Sequence, residues 1–185
     1  MIADFIKAIW AGAFIAVGAM IFTHTGGVAG VIFFSVGLLS IMFFDLKLYT
    51  GMIGFVKTGK ELAKSLFILV GNFVGTTLAA VIHPEDVSAL VSARLEVPLY
   101  EVFLKSFVSG LLVYAAVWVY RNKQNWMYSL IAIPGFIFAG AYHCIADMCY
   151  IMAARAFTWQ ALFFIITVIL GNSIGAFLFD KTKNL

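Results

Sequence analysis

Six apolar stretches separated by short polar breaks run along this chain. They cover residues 5–22, 28–56, 62–82, 99–120, 126–157 and 158–179. A transmembrane helix needs about 20 predominantly apolar residues, so the pattern predicts six membrane-spanning helices. No linker or low-complexity segment interrupts the series, and we predict an all-α membrane protein with a single domain over residues 1–185.

The second and fifth stretches are longer than one membrane crossing requires. At about 1.5 Å per residue they would form helices of about 43 Å and 48 Å, whereas the hydrocarbon core is about 30 Å thick. Asp45 and Lys47 lie inside the second stretch. His143 and Asp147 lie inside the fifth. We therefore predict that both spans are broken helices, each with an unwound segment buried in protein or lining a cavity.

The motif Gly-Asn-x-x-Gly occurs at residues 71–75 in span three and again at residues 171–175 in span six. Copies that lie three spans apart cross the membrane in opposite directions. The motif therefore predicts two inverted three-helix repeats, an aquaporin-like architecture with a broken helix as the second span of each half. Small-residue motifs are common in packed membrane helices, but the shared Asn and the matching position in each half favour a repeat.

Composition agrees with a membrane protein, and the charges predict its orientation. The chain is 63% hydrophobic and 11% charged, against about 45–50% and about 25% in soluble domains. The net charge of +3 is small and does not indicate a nucleic-acid partner. Basic residues cluster after spans two, four and six, namely Lys57, Lys60, Lys64, Arg121, Lys123, Lys181 and Lys183. The positive-inside rule then predicts that both termini lie in the cytoplasm. We predict a multi-pass protein of the cell membrane.

Several short motifs, in order along nearly the whole chain, resemble the formate/nitrite transporter family. Residues 34–38 are Phe-Ser-Val-Gly-Leu, residues 48–51 are Leu-Tyr-Thr-Gly, and residues 143–148 are His-Cys-Ile-Ala-Asp-Met. The two Gly-Asn-x-x-Gly motifs and Ala-Val-Trp at residues 116–118 also fit the family pattern. Each motif is modest alone, and their order and spacing make the resemblance specific.

The resemblance implies a homopentamer in which each protomer has its own pore, with two hydrophobic constrictions around a central His. The candidate constriction residues carried over by motif are Phe34, Leu38, Leu48, Tyr49 and Phe136. Thr50 and His143 become the central polar pair. Arg94 stands where the family usually has a Lys near the outer mouth. Asn72 and Asn172 are expected to bond the backbone of the broken helices, and the resemblance also puts Asn172 near the inner constriction.

The chain departs from the family pattern around this centre. Lys47 stands where the family usually has an acid, and Tyr142 where it usually has Glu. Asp147 replaces the Asn that follows the central His, and Asp45 replaces a Gly. Because the charges are rearranged, the sequence does not by itself predict the family's small-anion substrates, which are formate, nitrite and hydrosulfide.

His143 is the candidate for proton exchange. An imidazole has an ordinary pKa of about 6.5, so modest changes in its surroundings switch its charge. Titratable residues inside a membrane are costly and generally functional. The alternative is a buried neutral His bonded to a backbone carbonyl, and the motif favours the functional role.

Asp147 leaves the substrate open. An ionised carboxylate beside His143 would weaken a positive centre and could stabilise ammonium, which would also donate to Thr50. Alternatively, Asp147 forms a structural ion pair with Lys47, and the pore charge changes little. Lys47 itself is expected to be paired, with Asp45 or Asp147 as its partner.

A membrane redox or metal-binding protein built on His143, Cys144, Asp147 and Cys149 is the alternative from a different class. Those spacings do not converge on one helix face, and the resemblance implies no metal there. We therefore predict a transporter that is not an enzyme and that needs no cofactor or metal.

Overall fold

The computed structural model describes residues 1–82, 86–183 and 185, and its regular secondary structure is helical. A single 3-10 turn covers Ile53–Phe55. The α-helices are α1 (Ile2–Thr25), α2 (Gly27–Phe33), α3 (Ser35–Phe43), α4 (Gly59–Ala80), α5 (Ser88–Leu95), α6 (Leu99–Lys123), α7 (Ser129–Phe138), α8 (Cys144–Ala153) and α9 (Trp159–Thr182).

Four of these helices, α1, α4, α6 and α9, are long and apolar enough to cross a membrane. They correspond to predicted spans one, three, four and six. The second and fifth stretches form no helix of that length within the described residues. α2 and α3 meet at Phe34 and end at Phe43, and α7 is separated from α8 by residues 139–143.

The two broken stretches differ in how the chain continues after the break. In the fifth stretch, α8 begins directly after His143. In the second, the chain forms only the 3-10 turn before α4. Gly51 and Gly54 have low helix propensity, and their backbones pack closely against Val117 and Tyr114. This contact with α6 favours the irregular segment over a second helix.

The long helices pack in two pairs, α1 against α4 and α6 against α9. Glycines of the repeated motif lie where the helices of each pair cross. A Cβ atom added at Gly75 would overlap the backbone oxygen of Ile9 on α1. One added at Gly175 would overlap the backbone oxygen of Phe107 on α6. Small residues of this kind let membrane helices approach closely.

The basic breaks predicted from the sequence lie near one another at one end of the helix pairs. The Arg121 guanidinium lies 5.0 Å from the ring centroid of Phe55. The Lys183 ammonium lies 5.7 Å from a ring centroid of Trp118. The ends of α6 and α9 therefore meet the 3-10 turn of the loop that precedes α4.

Candidate functional site

His143 lies at the break of the fifth stretch, as the N-cap residue of α8. Its Nδ1 accepts a hydrogen bond from the backbone N–H of Ala146 at 3.4 Å. Its Nε2 lies 2.9 Å from the hydroxyl of Thr50 in the other break. The ring stacks on Phe136, with 6.0 Å between centroids, and the residue is only 3% exposed. The two breaks therefore meet in one buried polar contact.

Asn72 of α4 holds the first break. Its side-chain oxygen accepts from the backbone N–H of Tyr49 at 2.8 Å. Its amide donates to the backbone oxygens of Lys47 at 2.8 Å and Ala8 at 2.7 Å. These bonds satisfy backbone groups that the missing helix leaves without partners, and they fix the residue next to Thr50.

Asn172 of α9 holds the second break with the same pattern. Its side-chain oxygen accepts from the backbone N–H of Cys144 at 2.9 Å. Its amide donates to the backbone oxygens of Tyr142 at 3.0 Å and Ser106 at 2.8 Å. Asn172 thus bonds the backbone on both sides of His143. Its expected place near the inner constriction stays a prediction. Sequence reasoning did not identify Ser106 as a partner.

Two cavities reach the breaks, one lined by His143 and the other by Leu48 and Gly51. The Arg94 cavity has a volume of about 280 Å³. Its wall includes Phe34, Arg94, Lys105, Phe136, Tyr142 and His143. The Arg121 cavity has a volume of about 320 Å³. Its wall includes Met42, Asp45, Leu48, Met52, Arg121 and Gln124.

The predicted constriction residues are all buried, and three of the five line one of these cavities. Phe34 and Phe136 line the Arg94 cavity and touch edge to face, with 6.2 Å between ring centroids. Leu48 lines the Arg121 cavity. Leu38 and Tyr49 are buried in the core, and the Tyr49 hydroxyl bonds Ser173 of α9. Their roles as constrictions stay predictions.

Asp147 pairs with Arg94, and the expected alternative of an Asp147–Lys47 ion pair is wrong. Its Oδ1 accepts from the Arg94 guanidinium. The ammonium of Lys47 instead lies 3.1 Å from Asp45, which also binds Lys7 at 2.9 Å. The pairing of Lys47 with Asp45 is the other option that the sequence left open.

The short helix α5 brings Arg94 to this position, and the sequence pattern did not predict that helix. Val87 and Val91 are buried, and Leu95 packs against the core. Their spacing of four residues was the available signal for a helix face. Gln160 of α9 donates to the backbone oxygen of Leu95 at 2.8 Å and ties the end of α5 to the bundle.

Two cations flank the Tyr142 ring. The Arg94 guanidinium lies 5.3 Å from its centroid, and the Lys105 ammonium lies 5.7 Å from it. Arg94 also lies 4.9 Å from the ring of Tyr150. Aromatic faces attract cations, more strongly where water is excluded. The rings therefore help to hold the Arg94–Asp147 pair in place.

The alternative metal site is not supported by the geometry. Within the part of the chain that the structure describes, no three His, Cys, Asp or Glu side chains come together in a way that could hold a metal ion. Cys144 and Cys149 are buried and not joined by a disulfide. His143 and Asp147 are engaged by Thr50 and Arg94.

Comparison with known proteins gives one family and one fold. The sequence model of the family described as "Formate/nitrite transporter" matches residues 2–182. The fold is similar to an "FNT family ion channel", with a TM-score of 0.87 and 20% identity over 96% of this chain and 87% of that one. It is also similar to a "Pentameric formate channel with formate bound", with a TM-score of 0.84 and 20% identity over 98% and 95% of the two chains. No curated protein sequence matches.

Proposed function

Because the chain belongs to the formate/nitrite transporter family, whose members are channels and transporters and not enzymes, we propose that it passes a small monovalent anion through a pore in each protomer. Formate, nitrite and hydrosulfide are the proposed substrate class. His143 takes part in proton exchange, and Thr50 is its polar partner.

The hydrogen bond between Thr50 and His143 carries this proposal. It joins the two breaks. The Arg94 and Arg121 cavities reach toward opposite ends of α6, with Lys105 near its start and Arg121 near its end. An anion that passes apolar groups such as Phe34 and Phe136 must lose its hydration, which costs much free energy. The neutral acid has a much smaller desolvation cost. A proton donor at His143 would lower that cost for a weak-acid anion.

The groups that line the Arg94 cavity suit an anion. Arg94 and Lys105 line it, and no carboxylate among the described residues does. Both cations have acidic partners outside this lining, Asp147 for Arg94 and Glu101 for Lys105 at 2.7 Å. The two pairs are close to neutral, so the cavity offers an anion N–H donors and not a net positive charge.

One observation favours ammonium as a second candidate. The Oδ2 atom of Asp147 is buried and has no hydrogen-bond partner among the described residues. An unpaired carboxylate oxygen is costly to bury, and an N–H donor such as ammonium would satisfy it. Passage of an anion gives the Oδ2 atom of Asp147 no such partner.

A reversal potential in planar bilayers under an ammonium formate gradient distinguishes the two substrates. If formate carries the current, the concentrated side becomes positive, by about 59 mV at a tenfold activity ratio. If ammonium carries it, the sign is opposite. Under the anion proposal, Asp147→Asn keeps the sign, and a loss or inversion of selectivity in that variant supports ammonium.

Proton coupling needs a second measurement, because a proton and an anion moving together carry no current. Purified protein is reconstituted into liposomes that contain a pH-sensitive dye. Inward formate with a proton acidifies the interior, and free anion passage does not. Protein that moves neither formate nor nitrite in either assay would overturn the anion proposal.

The architecture proposed for this pore is six spans in two inverted three-helix repeats, as in aquaporin-like folds. The matched bonds of Asn72 and Asn172 support it, because each joins a break to the first long helix of its own pair. Gly75 and Gly175 support it in the same way, with equivalent crossings in the two pairs. The clustered basic ends support a cytoplasmic location for both termini.

We place the protein in the cell membrane as a homopentamer. The support is the similar fold, at 20% identity, of a pentameric formate channel. Large apolar residues are exposed on the protomer, among them Phe157 and Trp159 at 70% and 77%. Lipid and neighbouring protomers would cover such surfaces in the assembled channel.

A further inference from the structure

We propose that Tyr49 is a positioning residue whose hydroxyl ties the first break to α9 and so sets the width of the pore beside Thr50. The inference rests on the proposed function. It assigns to Tyr49 a role other than that of a constriction lined by an aromatic ring.

The direction of the tether follows from its neighbours. The Tyr49 hydroxyl lies 2.7 Å from the Oγ of Ser173. The Ser173 hydroxyl donates to the backbone oxygen of Ile169 at 2.6 Å. Since that hydroxyl has a single hydrogen, its Oγ accepts in the contact with Tyr49, and Tyr49 is the donor.

Tyr49 is held at both ends. Its backbone N–H donates to Asn72 on α4 at 2.8 Å, and its side chain reaches α9. Its backbone oxygen accepts from the N–H groups of Met52 and Ile53 at 2.9 Å each. The residue thus bridges the two halves of the bundle directly before Thr50, and it is 2% exposed.

Tyr49→Phe removes this tether cleanly. Phe keeps the ring, and Ser173 still donates to Ile169, so no buried donor loses its partner. Ser173→Ala removes the same bond from the other side but leaves the Tyr49 hydroxyl without its acceptor. A buried donor that is left without an acceptor lowers stability more than a hydrogen bond that is removed together with its donor. Ser173→Ala should therefore lower stability more than Tyr49→Phe, while both release the loop.

Amide hydrogen exchange of the full-length channel in nanodiscs tests the tether without reference to transport. Residues 44–52 should exchange about threefold to tenfold faster in Tyr49→Phe and in Ser173→Ala, as expected for the loss of one net hydrogen bond. Ser173→Thr keeps a hydroxyl and should restore the wild-type rate. Tyr114→Phe is the matched control, since it loses a tyrosine bond to Asp180 and keeps the ring that packs against Gly54. Unchanged exchange in both test variants would overturn the proposal.

Selectivity tests the consequence for the pore. Lactate is a larger anion than formate, so a wider pore should raise its uptake relative to that of formate. The ratio of lactate to formate uptake into liposomes should rise about threefold to tenfold in each single variant, as expected if the loss of one net hydrogen bond lowers the barrier for lactate. The double variant should rise no further, because both changes delete one bond. Additive changes, or faster exchange with an unchanged ratio, would overturn the role in pore width. If wild-type protein transports no anion, the proposed function fails. The hydrogen-exchange result still shows whether the Tyr49–Ser173 bond holds the loop.

Discussion

Asp147 and Arg94 are 53 positions apart in the chain and form a buried ion pair. At the scale of single residues, this contact changes the meaning of the acid that the sequence placed four residues after His143. The carboxylate is not an isolated charge beside the imidazole, because its Oδ1 accepts from the Arg94 guanidinium. His143 instead keeps Thr50 as its side-chain partner.

Removal of Arg94 alone should be strongly destabilising. Arg94→Leu leaves the Asp147 charge buried and unpaired, which costs roughly 3–5 kcal/mol in comparable pairs. The double variant Arg94→Leu, Asp147→Leu should recover most of that loss in thermal unfolding. Lys64→Leu is the control, because its pair with Asp4 is partly solvent-exposed, at 50% and 26% for the two side chains, and such pairs are worth about 0–1 kcal/mol. Equal losses in the single and double variants would contradict this account.

Replacement of His143 should remove the pH dependence of transport. Asn at this position keeps a polar side chain but cannot exchange a proton near neutral pH. We expect uptake of formate by His143→Asn to vary little between about pH 5 and 8, the range in which unperturbed His titrates. His24→Asn at the end of α1 should retain the wild-type profile. A normal profile in His143→Asn would assign His143 to packing.

At the scale of helices, the two crossings position the breaks. α1 crosses α4 at Gly75, and α6 crosses α9 at Gly175. Each crossing lies one turn from the Asn that binds its break. A shift of α4 or α9 would therefore displace the Asn that binds the break and would also disturb the packing between the helices.

Gly75→Ala and Gly175→Ala should each destabilise the fold by about 1–3 kcal/mol, because the added methyl overlaps backbone that cannot move freely. Thermal unfolding in detergent measures the loss. Gly135→Ala on α7 is the matched control, since nothing lies within 4 Å of its added Cβ. A Gly75 or Gly175 variant as stable as Gly135→Ala would show that the crossings tolerate separation.

At the scale of the whole molecule, assembly can be measured directly. Native mass spectrometry should give a particle of about five times the 20.3 kDa chain mass. If each protomer has its own pore, transport by mixed assemblies should fall in proportion to the share of inactive subunits. A steeper fall, or a monomeric particle, would contradict independent pores in a pentamer.

Much of the fold could be predicted because its signals are local. Long apolar runs indicated α1, α4, α6 and α9, and the excess length and central charges indicated both breaks. The motif Gly-Asn-x-x-Gly identified the two anchors, and the family is confirmed. The helix α5 was missed, because a short amphipathic helix among charged residues gives a weak pattern.

The sequence by itself determined that this is a helical membrane protein of one family, with His143 at a break. Hydrophobicity and helix length depend on neighbours in the chain, so they are readable without a fold. Only the tertiary structure decided that Asp147 meets Arg94, that Lys47 meets Asp45, and that Tyr49 reaches Ser173. Such contacts depend on which distant segments pack together. A buried charge needs a partner of opposite charge, and the packing determines which residue lies close enough to pair with it.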